Sequence, residues 1–296
     1  MEHKNALRRF TDRLFGGINM SWPLVIILAV GTAALTTLFL VAPVFENTSF
    51  YRMGVFWDAW ILFAVFIMSN CKKPLESAIK TFVFFLISQP LIYLFQVPFS
   101  SMGWSIFMYY KTWFIWTLLT FPAAFIGWYI TKKNWLSLLI LSPILLYLAY
   151  ISLDCISFSF RHFPRMLFAG VFCLCQVLLY MYVFTSNIWQ KLLGIIVPFA
   201  AAAIFLFATR NPSMHAELLL PDEVVFSKNA YAQSSDESVA VITSLPTDGS
   251  GIVEYDLHKY GTTDITIKDG NKEYVYTLKV YENDEGHTNT EVTRKK

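Results

Sequence analysis

Of 296 residues, 55% are hydrophobic and only 15% charged, against about 25% charged in an ordinary soluble domain, so a single soluble globule is excluded. The formal net charge of +2 hides a division: residues 1–215 carry fifteen Lys/Arg and six Asp/Glu, a net of +9, and residues 216–296 carry eight and fifteen, a net of −7. The two parts face different surroundings, one of them the lipid bilayer, and no nucleic-acid partner is expected.

Residues 1–20 read as a basic segment on the cytoplasmic side. "NALRRFTDRLFGG" interleaves Leu7, Phe10, Leu14 and Phe15 with Arg8, Arg9 and Arg13. That pattern suits an amphipathic helix on an anionic inner surface, or simply a basic flank. Residues 21–209 then hold seven apolar runs. The first, Trp22 to Phe45, is too long for a cleaved signal, and its end, "LVAPVFEN", lacks a small-residue cleavage site. The second, Gly54 to Ser69, is short, and Asp58 near its start suits entry from the interface. The remaining runs are Lys80 to Phe99, Thr112 to Ile130, Trp135 to Leu153, Met166 to Thr185 and Leu192 to Ala208. Most approach the ~20 residues that cross a ~30 Å hydrocarbon core, and in lipid such runs must be helices.

Within these runs Pro90, Pro122, Pro143 and Pro198 mark expected bends. Small residues in the first run (Ala29, Gly31, Ala33, Ala34) and the last (Ala200 to Ala203) suit close helix approach. Gln89, Gln96 and Gln176 are expected to bond between helices, or else to line a polar pathway. Between the third and fourth runs, "SSMGWSIFMYYK" is too short to cross and reads as interfacial or re-entrant on the outer side. Glu76 among Lys72, Lys73 and Lys80 reads as a solvated helix start. The cysteines Cys71, Cys155, Cys173 and Cys175 all fall in this part and read as small buried hydrophobes.

Basic residues set the orientation. Lys4, Arg8, Arg9, Arg13, Lys72, Lys73, Lys80, Lys132, Lys133 and Lys191 fall on one side if there are seven spans. Arg161 and Arg165 run against the trend. The N-terminus is then cytoplasmic and the C-terminal part extracytoplasmic.

From Val224 onward the period shifts towards two. "TDITIK" and "KEYVYTLKVYE" flank Asp269–Gly270–Asn271, a hairpin signal. Short strands over about 216–282 predict a small all-β sandwich, and the polar stretch 283–296 reads as disordered. The expected fold class is therefore an α-helical polytopic bundle followed by an all-β domain. "SSDESVAVI", "GTTDIT" (Gly261 to Thr266) and the closing "YTLKVYE" resemble the bacterial Ig-like group 2 domain of invasin- and intimin-type proteins. The likeness covers roughly Asp222 to Glu282. Where that family commonly has a Trp, this chain reads "AYAQ", with Tyr231 the expected core substitute. The resemblance implies an Ig-like extracytoplasmic spacer or binding module of a bacterial envelope. Because only "RNPSMHAELLLP" separates the last run from it, it is expected to sit on the membrane as a lid. Its acidic surface is expected to dock on the basic outer loops.

No phosphate-binding loop, zinc-protease or serine-hydrolase motif occurs, and His3, His162, His215, His258 and His287 are scattered. No catalytic residue, metal or cofactor is assigned. What remains is a set of ionisable residues on the expected outer face: Asp58, Lys111, Asp154, Arg161, His162 and Arg165. Intramembrane charge is costly and marks function, and "DCISFSFRHFPR" gathers four of the six into one expected loop. They read as an anion or head-group site, or as side chains snorkelling to the interface. Three functions follow: a non-enzymatic envelope component whose partners are envelope polymers or other membrane proteins, a transporter or channel subunit with an outer lid, or an enzyme on a lipid-linked substrate.

Overall fold

The computed structural model describes residues 6–219, 226–227, 229–245, 252–283 and 288–295. The chain divides into two units, Met1–Ile204 and Phe205–Lys296. The helices are α1 (Ala6–Leu14), α2 (Trp22–Val41), α3 (Ser49–Val55), α4 (Trp57–Ser69), α5 (Pro74–Gln96), α6 (Tyr110–Gly127), α7 (Trp135–Arg161), α8 (Leu167–Phe184) and α9 (Ile188–Ala208). Among the described residues six helical stretches are long and apolar enough to cross a membrane, or seven if α3 and α4, bent by 61° at their junction, count as one span. The chain is a multi-pass membrane protein with a β domain at its C-terminal end.

The bend has a local cause. Phe56 is extended (φ −95°, ψ 171°) and serves at once as the last cap of α3 and the first cap of α4. The broken pair still runs the length of the bundle. Gly54 of α3 packs against Leu40 and Thr36 near the end of α2. At the far end of α4, Asn70 accepts from the N–H groups of Gly16 and Ile18, just before α2 begins. The pair therefore crosses antiparallel to α2, and the short second run is a span rather than a re-entrant loop.

In lipid the helices are held by packing and interhelical bonds rather than by exclusion of water. Leu141, Leu145 and Leu148 of α7 face Ala169, Cys173, Val177 and Tyr180 of α8 at helical spacing, all under 3% exposed. Gly170 allows this close approach: a Cβ there would stand 3.2 Å from both the Cys155 Cβ and the Ile156 nitrogen. The predicted alanine contacts are partly different. Ala29 and Ala33 are buried, but Gly31 faces open space and of Ala200 to Ala203 only Ala202 is buried. The four prolines lie inside helices α5, α6, α7 and α9.

The basic N-terminal segment forms helix α1, and it is not solely a surface element. Leu7 and Phe10 are exposed, whereas Phe15 is buried against Phe66, Tyr180 and Phe184. Gly103–Tyr109 is a 3-10 helix that runs directly into α6, with Trp104 and Met108 exposed. Glu76 is not a purely solvated start either: it accepts from Lys80, which is 8% exposed and also donates to the Met20 carbonyl.

The second unit has strands β1 (Met214–Leu219), β2 (Tyr231–Ser234), β3 (Ala240–Ser244), β4 (Ile252–Leu257), β5 (Gly261–Asp269), β6 (Lys272–Glu282) and β7 (Thr288–Arg294). They form two antiparallel sheets, β1-β4-β3 and β2-β5-β6-β7. Alternate residues of β4, β5 and β6 (Tyr255, Leu257, Ile265, Ile267, Tyr276, Leu278) are at most 1% exposed and share one core. Burial of each aliphatic one is worth about 1.5–3 kcal/mol. The predicted hairpin is present. Asp269 pairs with Lys272, and Gly270, at φ +58°, holds the position where a type II′ turn takes glycine.

Three expectations change. The stretch expected to be a disordered tail contains β7, which pairs with β6 from Tyr276↔Arg294 to Glu282↔Thr288. Tyr231 does not fill the core: it is 55% exposed, and Phe226, 2% exposed, lies in the core instead. Part of the expected linker, Met214–Leu219, is strand β1.

Candidate functional site

The break between α3 and α4 buries a charge-bearing side chain inside the bundle. Asp58 is in the first turn of α4 and is 0% exposed. Its Oδ1 accepts from the Ala59 N–H at 2.8 Å. Its Oδ2 lies 3.9 Å from Cys173 Sγ on α8. Gln176, also on α8, donates to the Asp58 main-chain oxygen at 3.0 Å and accepts from the Tyr180 hydroxyl at 2.8 Å. Gln176 is nine residues into α8, about 14 Å along it at 1.5 Å per residue. Asp58 is therefore held near the middle of the span rather than at an interface, where the sequence had placed it.

Arg52 faces this site from the other side of the break. It lies in the last turn of α3, where the helix dipole favours a cation, as the first turn of α4 favours an anion. Its guanidinium is 4.2 Å from the Phe56 ring centroid and lies against the Cys155 thiol. It is within electrostatic range of Asp58, Tyr147, Tyr150 and Cys173. Its buried Nε has no hydrogen-bond partner among the described residues. The result is a polar cluster built by α3, α4, α7 and α8, with one carboxylate and one guanidinium separated by a helix break. Such a carboxylate can take up a proton or a cation, and the adjoining break is where backbone groups leave regular helical pairing.

The six predicted residues do not form one outer-face cluster. Asp58 is inside the bundle. Asp154 is half-buried on α7, in electrostatic range of Tyr150 and Cys155, so it borders the same cluster. Arg161 is exposed in the last turn of α7, so Asp154 and Arg161 lie two turns apart on a helix instead of in a loop. The His162 ring lies tilted against Phe158, the centroids 4.6 Å apart. Arg165 accepts, through its carbonyl, from both the N–H and the hydroxyl of Ser49, which pins the start of α3 to the start of α8. Lys111 is exposed at the start of α6.

Sequence reasoning left Arg52, Tyr147 and Tyr150 out of the candidate cluster, and read Cys155 and Cys173 only as small buried hydrophobes. Both are buried, but Cys175 is exposed, so the uniform reading of the cysteines fails there. The signal available was Arg52 six residues from Asp58 within one hydrophobic stretch. Of the three glutamines, Gln176 does bond between helices. Gln96 bonds to Ile92 of its own helix, and Gln89 lines a cavity. Among the described residues no three His, Cys, Asp or Glu are gathered to hold a metal ion.

In the β domain the two stretches that carried the resemblance interlock. The Thr263 hydroxyl meets those of Ser234 and Ser235 at 2.8 and 3.2 Å and accepts from the Asp236 N–H at 2.9 Å. No family model, no curated protein and no solved structure matches the chain.

Proposed function

We propose that this is a non-enzymatic protein of a bacterial cytoplasmic membrane that presents one Ig-like β module on the extracytoplasmic side. There it serves as an interaction or assembly component for envelope polymers or other membrane proteins. The observation that carries this reading is the passage of α3 and α4 from one end of the bundle to the other, which makes seven crossings. Arg13, Lys72, Lys73, Lys132, Lys133 and Lys191 gather at the end where α2 begins. Trp128 donates to the Cys71 carbonyl there, and Ser186 to that of Lys133. A basic end is a cytoplasmic end, and an odd number of crossings carries the β domain to the other face.

Topology tests it. Glu237, exposed in a turn of the β domain, is replaced by Cys, and intact cells are treated with an impermeant thiol reagent. Labelling of Glu237→Cys but not of the unsubstituted chain is expected. Labelling only after lysis would place the domain inside and end the proposal.

The buried Asp58 supports a second reading, in which the bundle itself conducts or transports. An anchor has no use for a carboxylate buried beside a broken helix. Proteoliposomes carrying the full chain would then pass protons or alkali cations, and Asp58→Asn would abolish the flux. Equal leak from wild type and variant returns the bundle to an anchoring role.

A further inference from the structure

Helix α4 has two working faces. Asp58 looks towards α8, while Trp57, Trp60, Ile61 and Ala64 line a cavity of about 450 Å³ shared with α5, α6 and α7. That volume is in the ~300–1,000 Å³ range of small-molecule sites. Trp113 and Trp116 of α6 complete a four-indole wall, with the Trp57 and Trp116 rings edge-to-face at 4.3 Å. Among the described residues no charged one lines the cavity, so a charged group inside it would be unpaired in a low-dielectric site.

The polar side chains that line it are of two kinds. Thr117 and Thr120 are already satisfied by carbonyls of α6. The Thr81 hydroxyl is not: the residue is 1% exposed, lines the cavity and has no hydrogen-bond partner among the described residues. Gln89, 5% exposed, lines the same cavity and makes no hydrogen bond among the described residues. These two residues are eight apart on α5, about 12 Å along the helix. Buried polar groups are normally paired, so both await a partner that enters the cavity.

We propose that this cavity is a binding site for an uncharged, single-chain lipid whose oxygen-bearing head hydrogen-bonds to Thr81 or Gln89 while its chain packs against the four tryptophans. The uncharged wall excludes fatty-acid anions and phospholipid head groups. The unpaired hydroxyl and amide distinguish the site from a greasy crevice filled by any acyl tail. The inference is independent of the topology and transport readings, because it uses neither the orientation nor Asp58.

The test uses the full chain in nanodiscs and a pyrene-labelled monoacylglycerol, with binding read by energy transfer from tryptophan. Saturable one-to-one binding is expected, displaced by unlabelled 1-monoolein or by farnesol; which of the two competes tells an acyl from an isoprenoid source. Ala123→Phe and Ala64→Leu fill the cavity from two different helices and should abolish saturable binding. Thr81→Val keeps the shape, removes the hydroxyl and should weaken binding about fivefold, the worth of one hydrogen bond. Uptake that rises linearly with probe, fails to compete, or is unchanged in a variant of wild-type melting temperature would overturn the proposal. If both filling variants fail to fold, Thr81→Val and Gln89→Leu decide it together: weakened binding in one of them supports the proposal and unchanged binding in both overturns it.

Discussion

Gln176 joins α8 to the break in the second span: its amide nitrogen donates to the Asp58 carbonyl while its oxygen receives the Tyr180 hydroxyl. Gln176→Leu keeps the volume and strands both partners in a buried setting. Loss of a buried partner costs about 1–3 kcal/mol, and interhelical bonds in membranes fall towards the lower end. The melting temperature of the detergent-solubilised chain should drop. Gln96→Leu, which removes only a bond to Ile92 of the same helix, should leave it within about 0.5 kcal/mol of wild type.

Two glycines should respond unequally to alanine. At Gly170 the added methyl meets Ile156 Cγ1 at 2.8 Å and, at 3.2 Å, the Cys155 Cβ and a main-chain nitrogen, the last two of which are fixed by the backbone. At Gly194 it meets Met181 Sδ and, at 3.0 Å, Leu138 Cδ1, both at the ends of flexible side chains. Gly170→Ala should cost about 1–3 kcal/mol as an overpacking change, and Gly194→Ala less. Thermal unfolding of the two variants side by side gives the order, and a reversed order refutes the packing argument.

In the β domain, Tyr255 is 0% exposed and its hydroxyl has no partner among the described residues. Tyr255→Phe removes that unpaired group without changing the packing. Stability of the β domain should rise by about 1 kcal/mol, measured as denaturant midpoint. A fall would mean that the hydroxyl is satisfied in solution.

His215 and Asp256 stand directly opposite on β1 and β4, with Nδ1 and Oδ1 2.9 Å apart. The hydrogen bond to Asp256 raises the His215 pKa above its ordinary value, and the charges of Asp256, Glu254 and Glu217 raise it further. With the folded value above the unfolded one, the stabilisation is fully present below about pH 6.5 and is lost as pH rises through the raised value. Asp256→Asn should bring the imidazole titration, followed by NMR, back towards the ordinary value. An unchanged midpoint would show that the pair is not formed.

Much of the architecture is legible in the sequence because lipid leaves so few options. Seven apolar runs of span length map onto seven crossings, and alternation around Asp269–Asn271 maps onto β5 and β6. What the sequence hides is contact between distant segments. Thr288–Arg294 reads as polar because β7 is an edge strand whose one hydrophobic residue, Val292, packs against the core. Asp58 reads as interfacial because its one local signal, Arg52 six residues earlier, does not show that α4 begins in mid-bundle, facing residues more than a hundred positions later. Thr81 looks like one more tolerated hydroxyl until its neighbours are known. Charge and periodicity are local signals, and the site is made by residues that are not neighbours in the chain.

Phe15 also sets an order of events during synthesis. Its ring is enclosed by Phe66, Tyr180 and Phe184, and the last of these is made 169 residues after it. At ~5–20 residues per second, the ribosome needs roughly ten to thirty seconds to supply the final wall. Until then Phe66 and Asn70, made some fifty residues after it, are what the segment has to hold it. A residue made before all seven apolar runs is thus among the last to be fully enclosed, and its aromatic ring waits while the rest of the bundle is made.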